Sequence, residues 1–160
     1  MGKKDEKTNV MRILEQKKTE YESFLYETSV TNAGIIAEKL GEDPSSVFKT
    51  LVTVGKSREH YVFMIPANEE LDLKKAALAA GEKSIEMIPQ KELLPLTGYV
   101  HGGCSPIGMK KQFETFIDIT ASGKERICFS GGKVGFQVRV RYEDLKKVIS
   151  ITESDLVKHQ

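Results

Sequence analysis

Along this chain the apolar positions recur with two different periods, and the switches between them mark out the elements. Thr8 or Asn9 can cap a first helix in which Val10, Ile13, Leu14 and Lys17 recur at helical spacing, with the stem of Lys17 lying along the apolar stripe. Tyr21 to Tyr26 is short and aromatic-rich, which predicts a strand. Asn32 offers the cap of a second helix, with Ile35, Ile36 and Leu40 on one side and Gly41 as its left-handed stop. Asp43-Pro44-Ser45-Ser46 reads as a turn or short helix, because proline suits a first helical position.

The strongest strand is Val47 to Val54, and Gly55-Lys56-Ser57-Arg58 turns it into a hairpin with His60 to Ile65. Asp72 caps a helix over Leu73 to Ala80, Gly81 ends it, and Ser84 to Ile88 is a strand again, which gives a strand-helix-strand crossover. Pro89 and Leu93-Leu94 predict a short helix. Further strands are expected at Tyr99-Val100, Thr115 to Ile119, Ile127 to Ser130 and Phe136 to Val140, then a helix over Glu143 to Val148 and a last strand at Ile149 to Ile151. Strands that outnumber helices and connect both by hairpin and by crossover predict an α+β domain, a curled mixed sheet flanked by helices.

Composition agrees with one folded unit. A length of 160 residues, 39% hydrophobic and 29% charged, suits a single globular domain and favours neither a disordered nor a membrane class. Residues 9–157 are read as that domain and residues 1–8 as a polar, flexible N-terminus. This N-terminus has no apolar run of a secretory signal, and Glu6 stands where N-myristoylation would want Ser or Thr. A soluble, cytoplasmic protein with no membrane contact is expected. The net charge of +1 supplies no overall field for nucleic acid, so any RNA contact must come from a local cluster. Lys110-Lys111 and Arg139 with Arg141 are the candidates, although a Lys-Lys pair is more commonly just solvated surface.

Two cysteines, Cys104 and Cys128, form no Cys-x-x-Cys pair, and His60, His101 and His159 are scattered without ligand spacing. Neither a metal nor another cofactor is expected. Lys49, in the middle of an apolar strand, shares a face with Val47 and Leu51. An ammonium among apolar side chains is costly unless an anion or carbonyl meets it, which points to substrate; an edge strand with a polar outer face accounts for it equally well. Gly102-Gly103 and Gly131-Gly132 each follow an expected strand and could aim N–H groups at an oxygen, or simply form tight turns. Gly103 to Lys110 fails as a phosphate-binding loop, because Met109 occupies the lysine position and Pro106 stiffens the loop. Cys104 near His101 suggests a thiol nucleophile, but three residues of separation fix no geometry, and a structural cysteine is the ordinary explanation. Ser105 and Ser130 lie in no nucleophile elbow.

Four segments taken together resemble the YbaK/EbsC family of aminoacyl-tRNA deacylases, also called Cys-tRNA(Pro) deacylases. They are Val47 to Leu51, Leu71 to Lys75, Thr97 to Gly108, and Ser130 to Gly135. The resemblance implies a barrel-like mixed sheet and a pocket for the aminoacylated 3′ end of tRNA(Pro). It places Lys49 in that pocket as the catalytic residue, to anchor the terminal nucleotide or to stabilise developing negative charge, with Thr50 beside it, and implies a substrate-facing loop of Gly102, Gly103, Ser105 and Pro106. Ser130, Gly131 and Gly132 would form a wall, with Tyr26 a further binding residue. It also implies trans editing beside prolyl-tRNA synthetase, with Cys-tRNA(Pro) as substrate; an Ala-tRNA(Pro) deacylase, or a non-catalytic tRNA-end-binding or regulatory module, is the alternative. An activated ester needs positioning and polarisation more than a triad, so backbone N–H groups of the Gly102-Gly103 loop are expected to hold its carbonyl oxygen. The chain departs from the family pattern at Gln137, which is Asp in some members, at Ala33, which falls near a position that is Phe in others, and in a shorter loop between Glu27 and Thr31.

Overall fold

The computed structural model of the chain describes residues 6–29 and 32–158. Residues 1–5 of the polar N-terminus, Val30 and Thr31 of the Glu27 to Thr31 loop, and His159 lie outside the described residues. The order is α1 (Asn9–Gln16), β1 (Tyr21–Leu25), α2 (Ala33–Leu40), β2 (Phe48–Gly55), β3 (His60–Pro66), α3 (Leu73–Ala80) and β4 (Ile85–Met87). It continues with α4 (Leu93–Thr97), β5 (Glu114–Asp118), β6 (Arg126–Ser130), β7 (Phe136–Arg141), α5 (Tyr142–Val148) and β8 (Thr152–Ser154). The helices start where polar side chains satisfy their free N–H groups: Thr8 accepts from the Met11 amide, Asn32 from Ile35, and Asp72 from Lys74 and Lys75. Gly41 and Gly81 end α2 and α3 at φ 69° and 72°, where a Cβ would be strained.

The curled sheet is realised as two open sheets, and neither closes into a barrel. One has the order β4-β2-β3-β5-β8, the other β1-β7-β6. In the first, β2 is antiparallel to both β3 and β4, so β3, α3 and β4 form the expected crossover with β2 between the two strands. The second is antiparallel throughout. The sheets meet at one parallel bridge, Val47 to Cys128.

Three expectations need correction. Tyr99-Val100 is not a strand but leads into a turn closed by the Gly103 amide on the Val100 carbonyl at 3.0 Å. The last strand is Thr152–Ser154 instead of Ile149 to Ile151, because the Ile149 amide still donates to Leu145 at the end of α5. Lys17 does not lie along the α1 stripe; it is the C-cap of that helix and is exposed.

The main core fills the space between α1, α5 and the two sheets, with Phe48, Val62, Met64, Ile127, Phe129, Val138 and Leu145 among its members. Helix α1 inserts Val10 and Leu14, both fully buried, and also braces two glycine loops. A Cβ at Gly132 would stand 2.7 Å from Val10, and one at Gly108 3.1 Å from Ile13. Truncating Leu14 therefore loosens both core and loops. Leu14→Ala is expected to lower the unfolding free energy by about 2–4 kcal/mol, read as a lower denaturant midpoint at unchanged slope. A loss below about 1 kcal/mol would show that α1 is a loosely attached appendage.

Candidate active site

The site occupies a gap in strand pairing. Strand β4 pairs only with Thr53, Val54 and Gly55 of β2, while Val47, just before β2, bridges to Cys128 of the other sheet. Between these two attachments no strand among the described residues lies beside the edge of β2 from Phe48 to Leu51, and a cavity of about 150 Å³ opens against it. Phe48, Lys49, Thr50 and Leu51 all line this cavity. Four consecutive residues of a strand can do so only where the strand edge itself faces the space, since side chains alternate between faces. Ala33 and Ile36 of α2, the His101-Gly102-Cys104 stretch, and Ser130 and Gln137 of the antiparallel sheet complete the walls.

The polar groups in this cavity are short of partners. Lys49 is half-buried, and its ammonium makes no hydrogen bond or ion pair among the described residues. Burial lowers its pKa, and the more distant carboxylates of Glu70 and Glu69 only partly counter this. Thr50 Oγ1 and Gln137 Oε1 are buried without a hydrogen-bond partner, Gln137 being only 4% exposed. Ser130, directly opposite Gln137 in the β6–β7 register, accepts from the Gly132 amide at 3.1 Å. Unsatisfied acceptors around a cation, in a volume below the few hundred Å³ of a drug-sized site, suit a small zwitterionic or ester-bearing group.

The glycine loops divide their work. Gly102 lines the cavity at φ 87°, and neither its amide nor that of Cys104 donates to a backbone carbonyl among the described residues. The Gly103 amide is committed to Val100, so it is not available to a substrate oxygen, contrary to the expectation from sequence. Gly103 serves packing instead: a Cβ there would stand 2.9 Å from the Val134 nitrogen, which locks the two glycine loops backbone to backbone. The Gly131 amide closes the β6–β7 turn on Phe136, and Gly132, at φ 95°, makes room for α1.

Of the residues named from sequence, Lys49, Thr50, Gly102 and Ser130 converge on the cavity, whereas Gly103, Gly131 and Gly132 stand behind its lining. Ser105 and Pro106 are buried, with Ser105 Oγ accepting from the Ile107 amide at 3.3 Å. Tyr26 lies outside the lining, and its hydroxyl is buried without a partner. Cys104 lines the cavity, but burial pushes its thiol up to about 12, so it is protonated at neutral pH and poorly suited to nucleophilic attack. Leu93 and Ile36 are lining residues that sequence reading does not single out as such; they come from helices whose periodicity marks them only as apolar.

Residues 28–148 match the family model of the aminoacyl-tRNA editing domain. The chain belongs to this family. Over 158 residues, 98% of this chain and 94% of the relative, the editing domain is 43% identical to a protein of Enterococcus faecalis named "Putative Cys-tRNA(Pro)/Cys-tRNA(Cys) deacylase EbsC". It is also 30% identical over 100 residues to a proline--tRNA ligase of Shouchella clausii, covering 62% of this chain and 17% of that much longer protein. Among solved structures, one described as a "putative trans-editing enzyme for prolyl tRNA synthetase" shares the fold with a TM-score of 0.82, 22% identity, and coverage of 96% of this chain and 100% of that one. Another, the hypothetical protein APE2540, has a TM-score of 0.86 at 18% identity over 94% of this chain and 100% of its own.

The editing domain bears the unpaired Gln137 oxygen as a cost to its stability, which a near-isosteric apolar side chain would relieve. Gln137→Met is expected to raise the melting temperature by about 2–4 °C, near 1 kcal/mol for a chain of this size, while lowering activity. A lower melting temperature would mean that Gln137 is a structural residue.

Proposed function

We propose that this editing domain hydrolyses the ester of mischarged aminoacyl-tRNA, with Cys-tRNA(Pro) as its substrate. The observation that carries the reading is the half-buried ammonium of Lys49, without an ion-pair partner, facing a small cavity among the unpartnered oxygens of Thr50 and Gln137. The aminoacyl group enters the cavity with its α-ammonium beside Thr50 and Gln137, whose buried Oγ1 and Oε1 turn toward it to accept. The ester carbonyl oxygen sits against the free amides of Gly102 and Cys104, and Lys49 stabilises the negative charge that develops there. The cysteine thiol of the substrate attacks its own carbonyl carbon, the ribose hydroxyl leaves with the thiol's proton, and water then opens the resulting thiolactone. All catalytic groups of this chain act by position and charge, and the hydroxyls of Ser105 and Ser130 are engaged by the Ile107 and Gly132 amides.

The wrong ester arises where prolyl-tRNA synthetase charges cysteine, so the domain acts beside that enzyme in the cytoplasm. Its similarity to a segment of a proline--tRNA ligase supports this pairing. Among the described residues no helix is long and apolar enough to cross a membrane, and no group of three or more His, Cys, Asp or Glu could hold a metal ion.

The test is a panel of Cys-, Ala- and Pro-charged tRNA(Pro), with and without the synthetase. Loss of the cysteinyl ester first supports the reading; faster loss of alanine moves the substrate to Ala-tRNA(Pro), and binding without ester loss makes the chain a non-catalytic module. Lys49→Ala should lower kcat/KM on Cys-tRNA(Pro) at least ~100-fold, as loss of an oxyanion partner does. The parent-to-variant rate ratio should shrink as pH rises through the lowered Lys49 pKa, since only the ammonium stabilises the anion. Cys104→Ser should keep its rate; a collapse there would assign the chemistry to the enzyme thiol.

A further inference from the structure

A second recess lies on the other side of the same two glycine loops. His101, Gly102, Cys104 and Ser130 face the cavity, whereas their chain neighbours Tyr99, Gly132 and Lys133 line a groove of about 790 Å³ that runs along α1. Gly103 packs its backbone against Lys133 and Val134, so the two loops that contribute to both recesses are in direct contact. The groove carries four cations, Lys7, Arg12, Lys110 and Lys133, against one carboxylate, Glu6. In a chain of net charge +1 this is a local concentration of positive charge.

Two of the cations suggested by sequence, Arg139 and Lys110, are placed differently from each other. Arg139 is held by both oxygens of Glu22, at 2.9 and 2.6 Å, and also by Glu42, so its charge is spent within the fold. Lys110, by contrast, lays its stem over Gly98 and points its ammonium at the Pro95 carbonyl, 3.4 Å away, with no carboxylate on it among the described residues. Lys133 pairs with Glu6 and Lys7 with Glu15, all four side chains at least 40% exposed. Exposed pairs of this kind contribute little to stability and exchange readily for a phosphate, which brings counterion release with it.

We propose that this groove binds the sugar-phosphate backbone of the tRNA strand that leads into the cavity, with Arg12, Lys110 and Lys133 as phosphate contacts. The inference rests on the reading of the chain as a tRNA-ester hydrolase, yet its test does not require hydrolysis. A strand whose terminal ester occupies the cavity must leave across one rim, and the loop pair is the rim with a basic groove behind it. The contacts are to phosphate, so they add affinity uniformly and select no base.

Binding of uncharged tRNA is measured against salt for the parent, for Arg12→Glu/Lys110→Glu, and for Lys17→Glu/Lys147→Glu. The last pair lies in a separate basic recess near the C-terminal end of α1. The groove variant should reduce the log–log salt slope by at least ~1.4, about 0.7 for each single-strand phosphate that is no longer neutralised, and the other variant should leave it unchanged. With charged tRNA the groove variant should raise KM about tenfold or more at constant kcat, and cleave an aminoacyl-adenosine as the parent does. A parent-like salt slope in the groove variant, or a loss confined to Lys17→Glu/Lys147→Glu, overturns the proposal. Equal loss on aminoacyl-adenosine would also overturn it, because the groove would then act through the cavity. Failure of the parent to cleave any ester, with the salt slope still dependent on Arg12 and Lys110, would reject the hydrolase reading alone.

Discussion

The site depends on one interrupted edge. Strand β2 is paired with β3 along one edge; its other edge is held by β4 at Thr53 to Gly55 and by the second sheet at Val47, and between these Phe48 to Leu51 have no strand beside them among the described residues. A continued β4 would cover that edge and abolish the cavity; complete separation of the sheets would open it to solvent. Backbone edges normally attract pairing partners, and proteins cover or blunt them. Here α2, the His101-Gly102-Cys104 stretch, and Ser130 with Gln137 cover the edge loosely enough to leave about 150 Å³ free.

The same constraint explains the electrostatics. A lysine on a fully paired, buried strand would be too costly to keep charged, and one on an open surface would be hydrated and weak. At the interrupted edge Lys49 is half-buried, with its pKa lowered by desolvation, yet still reachable by a ligand. The unpartnered Thr50 and Gln137 oxygens carry a similar cost. Groups left unsatisfied in this way stabilise a bound ligand more than they stabilise the fold, a familiar trade between activity and stability. The buried Cys104 thiol shows the opposite case: desolvation pushes its pKa up to about 12 and leaves it protonated and inert.

Much of the fold is legible in the chain because local signals are strong. Thr8, Asn32 and Asp72 cap helices as their side-chain chemistry dictates, and the Val47 to Ile65 hairpin follows from β-branched runs around Gly55 to Arg58. Tyr99-Val100 passes for a strand because two β-formers before a glycine pair look alike whether they enter a sheet or a turn; the Gly103 to Val100 hydrogen bond decides it. Division into two sheets is invisible in the sequence, since one bridge between Val47 and Cys128, 81 positions apart, sets it. At the site, Lys49 and Gly102 stand out by residue type. The assignment of Gly103 to packing, and of Arg139 to Glu22 and Glu42, depends on long-range partners that no local pattern encodes.

The most direct test of this account is to map the amide resonances of the protein on binding an amide-linked, non-hydrolysable cysteinyl-adenosine. The account predicts large shifts at Lys49, Thr50, Gly102, Cys104 and Gln137, the residues around the open edge of β2. Shifts centred away from that edge, with Lys49 and Thr50 unmoved, would contradict it.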